Sequence, residues 1–127
     1  MGKGKLTLTL PIYFGVRKKY MIGMNWYGTS HYRARNKVKQ EFHKMVDKVV
    51  SNKKINSPFK THYKLYYKNK ICDACNVIAV IDKFLLDALQ ESKVIIDDNV
   101  QHYIYSSWEV VEQDRNNPRI EVIVEEM

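Results

Sequence analysis

Asp73, Asp97 and Asp98 are the residues in this chain whose type and spacing suggest chemistry. They flank one apolar stretch, residues 76–91, that reads as a helix. Asp97-Asp98-Asn99 follows the short run Val94-Ile95-Ile96, which would place a carboxylate at the end of an apolar strand. Such a sequence also favours a turn. Together with Asp73, the pair can hold a hard divalent cation. Mg²⁺ takes oxygen ligands and often needs only one or two carboxylates, with water and a substrate phosphate completing its shell. An ion held this way orients water and stabilises charge on a phosphate, and a nearby lysine would stabilise the transition state further.

At 100° per residue, Asn76, Val80, Lys83 and Asp87 fall on one helical stripe, with Asp73 just before it. An otherwise apolar helix does not bury Asn, Lys and Asp cheaply. The plainer alternative is a solvent-facing stripe with an Asn cap and a Lys83–Asp87 pair.

Charge is divided along the chain. Residues 1–70 carry seventeen Lys/Arg against two acids, Glu41 and Asp47, a balance of +15; residues 71–127 carry four against twelve, −8; the whole is +7 over 127 residues. A basic first half points to a polyanion as partner, whereas a merely solvated face is the simpler meaning of the same charge. The length suits one domain, and 45% hydrophobic with 28% charged residues is the balance of a soluble globular chain. No apolar run approaches a membrane span. The N-terminus lacks the apolar core of a signal peptide, so a cytoplasmic protein is expected. Cys72 and Cys75 form a C-x-x-C, half of a zinc site or a redox pair. His31, His43, His62 and His102 have no spacing that completes a zinc site.

The elements that position these residues alternate in period. Leu6, Leu8 and Leu10 alternate with Thr7 and Thr9 up to Pro11, a half-buried strand. Residues 13–28, rich in Gly and aromatics, read as a long, partly extended loop. Thr29 or Ser30 can cap a helix whose apolar face is Ala34, Val38, Phe42, Met45 and Val49. Phe59, Thr61, Tyr63, Leu65 and Tyr67 form one face of a strand. Strands are also expected over 100–111 and, after the turn at Asn116-Asn117-Pro118, along Ile120, Val122 and Val124. The order β-α-β-α-β-β predicts an α+β (mixed α/β) fold, one domain over 1–127, with a mixed sheet covered by two main helices.

The run Asp73-x-x-Asn76…Asp82-Lys83-x-x-x-Asp87-Ala88-Leu89…Ile96-Asp97-Asp98 resembles the RusA family of Holliday junction resolvases, in a phage-type variant. Lys83, Asp87-Ala88-Leu89 and Asp97-Asp98 keep that family's spacing. The Leu8-Thr9-Leu10-Pro11 strand, the 25–50 loop and helix, and the closing Arg119-to-Met127 strand extend the likeness over nearly the whole chain. Two positions depart from it. Cys75 stands where the family has a second Asp, and Asn76 lies four residues further from Lys83, about one turn or ~5.4 Å. Either Asn76 or Asp82 would then supply the missing oxygen.

The resemblance implies a homodimeric, Mg²⁺-dependent endodeoxyribonuclease that nicks four-way and other branched DNA in recombination and repair. Mn²⁺ would substitute, and no small-molecule cofactor or membrane would be involved. The host would be a bacterial cell, with a phage or prophage gene as a possible source. Asp73 and Asp98 would be the main metal ligands, helped by Asp97 and Asn76, with Lys83 at the scissile phosphate. Arg17, Lys18, Lys19, Arg33, Arg35, Lys37, Lys68 and Lys70 would contact DNA, and Trp26 or Tyr27 would stack on, or wedge into, an opened junction unless they serve core or dimer packing. Two other readings stand beside this one: an inactive DNA-binding protein of the same fold, and a Cys-based zinc or redox module.

Overall fold

A computed structural model of the chain describes residues 4–15, 19–50, 53–70 and 72–127. Its elements are β1 (Lys5–Pro11), β2 (Tyr13–Phe14), β3 (Tyr20–Met21), α1 (Met24–Thr29), α2 (Tyr32–Val50), β4 (Phe59–Tyr67), α3 (Ala74–Glu91), β5 (Tyr103–Gln113) and β6 (Arg119–Glu126). Four strands form one mixed sheet in the order β1-β6-β4-β5, with only β4 and β5 parallel. The parallel pair needs a crossover, and α3 supplies it. This is the mixed α+β domain expected from the alternation of periods.

Alternation along the strands sets the face that the helices cover. Leu6, Leu8 and Leu10 of β1, Phe59, Thr61, Tyr63 and Leu65 of β4, and Ile120, Val122 and Val124 of β6 are all buried. Helix α2 lays Val38, Phe42, Val46 and Val50 on that layer. The expected stripe differed at its end: Val49 is 48% exposed, and Val46 and Val50 take the core positions. From Phe42 onward, steps of four keep to the buried side, whereas the step of three to Met45 begins a drift around the helix. Between α2 and α3, Phe42 stacks on Phe84 at 5.6–5.5 Å spacing in a line that runs from Phe14. His43 lies 3.3 Å from Asp47 and 2.8 Å from Glu91, which ties the end of α3 to α2.

Two further expectations are corrected. Residues 13–28 are not one long, partly extended loop: among the described ones, the extended parts pair as the short hairpin of β2 and β3, and the helix α1 follows. Two-residue strands and a six-residue helix are too short to show a period. Nor is 94–96 a strand. Lys93 adopts a left-handed backbone, φ 62°. The Val94 N–H then donates back to the Leu89 carbonyl at 2.9 Å, the pattern of a helix C-cap. Val94 and Ile95 drop into the core while Ile96 stays 73% exposed.

Candidate functional site

Asp73 is the N-cap of α3. Its carboxylate accepts the Asn76 backbone N–H at 3.4 Å and the Asn76 side-chain amide at 3.2 Å. Capping satisfies a helix-end donor and places negative charge at the positive end of the helix dipole. Asp73 is exposed all the same, and Asn76 beside it is half-buried. The two form one oxygen-bearing pair at the start of α3. Lys70, exposed, lines a groove of about 280 Å³ with Cys72, Ala74, Leu65, Tyr67, Asn69 and Val110, so a cation stands at this end of the helix. Lys68 lies 5.2 Å from the centre of the Tyr13 ring.

Cys75, at the position where a carboxylate was expected, is exposed and unpaired; Cys72 is half-buried. Burial, and then the charge of Asp73, pushes the Cys72 thiol up, which makes it a poorer nucleophile and a poorer metal ligand at neutral pH.

Midway along α3, about 12 Å from Ala74, Asp82 turns to the sheet. Its Oδ1 accepts the hydroxyls of Tyr63, in a short bond, and of Tyr103 at 2.9 Å. Thr61 extends the network to Tyr103 at 2.6 Å and Ser106 at 3.0 Å. Burial pushes the Asp82 carboxyl up, the two phenols pull it back, and the charge of Asp98 pushes it up again. Asp98 therefore lies within electrostatic reach of Asp82. Tyr103 is pushed up to about 12, by burial first and Asp82 second. Sequence periodicity turned Asp82 away from the stripe and did not reveal its partners. The available signal was Tyr63, on the buried face of β4, whose hydroxyl must find an acceptor.

In the loop after α3, Asp97 Oδ1 accepts the Asp98 N–H at 2.7 Å and Oδ2 accepts the Asn99 amide at 3.1 Å. Asn99 Oδ1 in turn accepts the Gln101 backbone N–H at 3.0 Å, an Asx turn that continues the loop. It leaves the Asp98 side chain exposed. Among the described residues, no three His, Cys, Asp or Glu converge as a metal cluster. Asp73 with Asn76 at the start of α3, and Asp98 within electrostatic reach of Asp82, are hard oxygen donors of the kind Mg²⁺ takes, with water and phosphate filling the rest of its shell.

Lys83 is exposed, with its ammonium 5.9 Å from the centre of the Tyr27 ring. Asp87 pairs with Lys39 of α2 at 4.0 Å, so the stripe pairs across helices and not by the expected Lys83–Asp87 contact. Trp26 is half-buried between Tyr20, stacked at 5.7 Å, and Phe84 at 6.2 Å. Its packing reading is the one this geometry favours. Arg35 gives its guanidinium to the carbonyls of Tyr27 and Ser30 and so joins α1 to α2. Arg33 lies 5.9 Å from the Tyr32 ring. Lys19 and Lys37 share a groove of about 570 Å³ between the hairpin and α2, lined also by Tyr13, Phe14, Tyr20 and Glu41. Arg17 and Lys18 lie outside the described residues.

No helix among the described residues is long and apolar enough to cross a membrane. Compared with known proteins, the chain matches no family model and no curated protein.

Proposed function

We propose that the protein is a Mg²⁺-dependent, structure-selective endodeoxyribonuclease of RusA type, a homodimer that nicks four-way junctions. One observation carries the reading. Helix α3 and the loop after it expose two carboxylates, Asp73 and Asp98, together with the ammonium of Lys83, on a chain of net charge +7. Carboxylates are a poor surface for a polyanion unless a cation intervenes.

Asp73, with Asn76, and Asp98, with Asp97, would be the oxygen donors for the ion; they stand at separate places, Asp73 at the start of α3 and Asp98 near Asp82, about 12 Å along the helix, so within one chain a single ion would meet one of the two. Bound there, Mg²⁺ would orient the attacking water and stabilise charge on the phosphate. The protein's own groups do the remainder. Asn76 steadies Asp73 by donating its amide to the carboxylate, as outer-shell partners of metal ligands do. Lys83, held beside the Tyr27 face, would neutralise charge on the scissile phosphate as it develops. Lys19, Lys37, Lys68 and Lys70 would draw in the DNA backbone. A junction has two-fold symmetry, and a two-fold dimer presents two matched sites to it.

Cys75 in place of a third carboxylate favours a second reading, a junction-binding protein of the same fold that does not cut. A nicking assay on a synthetic four-way junction separates the two. Asp73→Asn keeps the N-cap, since Asn caps as well as Asp. With Asp98→Asn it should bind the junction normally and lose nicking by on the order of 100-fold. Wild-type protein that binds junctions but never cuts them, whichever divalent ion is supplied, would establish the second reading. Loss of binding only in Cys72→Ser and Cys75→Ser would point instead to the cysteine module.

A further inference from the structure

Strand β5 leaves its apolar side chains uncovered. Ile104 is 50% exposed, Tyr105 55%, Trp108 45%, Val110 48% and Val111 42%. It ends the sheet order, so one backbone edge pairs with β4 and the other has no strand beside it among the described residues. The register sets Trp108 opposite Tyr63 and Val110 opposite Leu65. Cross-strand partners point to one face, so both stand on the side the helices cover, beyond the helices' reach.

The opposite edge of the sheet is built differently. β1 buries Leu6, Leu8 and Leu10, turns Thr7 and Thr9 outward, and carries Lys5 and Pro11 at its ends. Lysine and proline blunt an edge against pairing. Residues 103–113 contain no Lys, Arg or Pro.

We propose that β5 is the seam of a homodimer, pairing antiparallel with β5 of a second copy across a two-fold axis. This names the surface for the dimer in the reading above and rests on that reading's dimer clause. A strand edge is complementary to itself in this arrangement, because two-fold symmetry makes the ladder antiparallel. Charge selects the same strand. Two copies of a +7 chain repel through their lysine-bearing surfaces, and β5 carries only Glu109 and Glu112. In a ladder centred on Trp108, Glu109 faces the second copy's Ser107 and Glu112 faces its Ile104, so no two acids meet. The five exposed side chains, spread over both faces of the strand, offer at most roughly 500 Å² per copy, or about 1,000 Å² for the pair, the lower limit of a specific contact, to which the ladder hydrogen bonds of the paired edges add. The groove beside Val110, lined by Leu65, Tyr67, Cys72 and Ala74 with Asn69 and Lys70, gives a recess for a side chain of the second copy and sets a cation within reach of its Glu109 or Glu112.

Light scattering on size-exclusion fractions at micromolar concentration tests this. Wild type should show twice the chain's 15.1 kDa. Trp108→Lys/Val110→Lys should halve that mass with unchanged circular dichroism, and Thr7→Lys on β1 should remain dimeric. If the double variant fails to fold, Tyr105→Lys/Val111→Lys, on partly exposed positions of the same strand, decides in its place. A monomeric wild type overturns the proposal, as does a β5 variant that stays dimeric. The nicking assay is read separately. A β5 dimer that never cuts removes the nuclease and keeps the seam; a monomer that cuts does the reverse.

Discussion

Tyr103 donates its hydroxyl to the Asp82 carboxylate at 2.9 Å and so links the first residue of β5 to the middle of α3. Tyr63, fully buried on β4, donates to the same oxygen. Removing that acceptor with Asp82→Ala leaves the Tyr63 hydroxyl without it, a loss on the order of 1–3 kcal/mol. Asp82→Asn keeps an acceptor oxygen and removes the buried charge.

Wild type should therefore differ from both variants in how stability depends on pH. Burial raises the folded-state value of Asp82 above the unfolded one, which is about 3.9. Its contribution is then fully present below pH ~3.9 and is lost as pH rises through the folded-state value. Urea unfolding should show wild type losing ground to Asp82→Asn over that window. Equal pH slopes in the two proteins would mean that Asp82 ionises as freely folded as unfolded.

Much of the scaffold was legible because burial imposes a period. Leu6, Leu8 and Leu10 in β1 and the Phe59-to-Leu65 face of β4 follow from alternation alone. The cap was misplaced: Asn76, expected as the cap of a solvent-facing stripe, lies inside the first turn of α3, and Asp73 caps the helix by accepting its backbone N–H. The partners of Asp82 were not legible, because Tyr63 and Tyr103 reach it through tertiary packing that no local spacing encodes. Residues 94–96 misled for a related reason: an apolar triplet bounded by polar residues is the same string whether it forms a strand or descends from a helix cap at Lys93. Arg35 and Trp26 looked like a cation and a stacking platform by type, and both are engaged in holding α1.

The expected DNA-contacting cations should separate by how they are already engaged. Lys37 and Lys70 are exposed, whereas Arg35 is bonded to two carbonyls. Lys37→Ala and Lys70→Ala should each weaken junction binding and lower the slope of log K against log salt by about 1. Arg35→Ala should act mainly on stability, seen as a lower Tm with the salt slope retained. Titrations by fluorescence anisotropy at several salt concentrations read both quantities. A full-unit slope change for Arg35→Ala with an unchanged Tm would reverse that assignment.

Cys75 offers the most direct control over the proposed chemistry. It is exposed in the first turn of α3, two residues after Asp73. The position tolerates a carboxylate sterically, and the helix dipole favours one there by roughly 0.3–1 kcal/mol. Cys75→Asp should therefore fold at least as well as wild type. It would also set a third oxygen donor beside Asp73 and Asn76. If this end of α3 binds the divalent ion, the variant should bind Mn²⁺ several-fold more tightly by calorimetry, and junction nicking should reach its half-maximal rate at a lower Mg²⁺ concentration. Cys75→Ser supplies the matched control, with the thiol removed and no charge added. A Cys75→Asp protein that gains stability and gains no ion affinity would separate the cap from the ion. The proposed site would then have to be built around Asp98 and Asp82, the pair that the 97–99 turn and the two tyrosines bring within electrostatic reach.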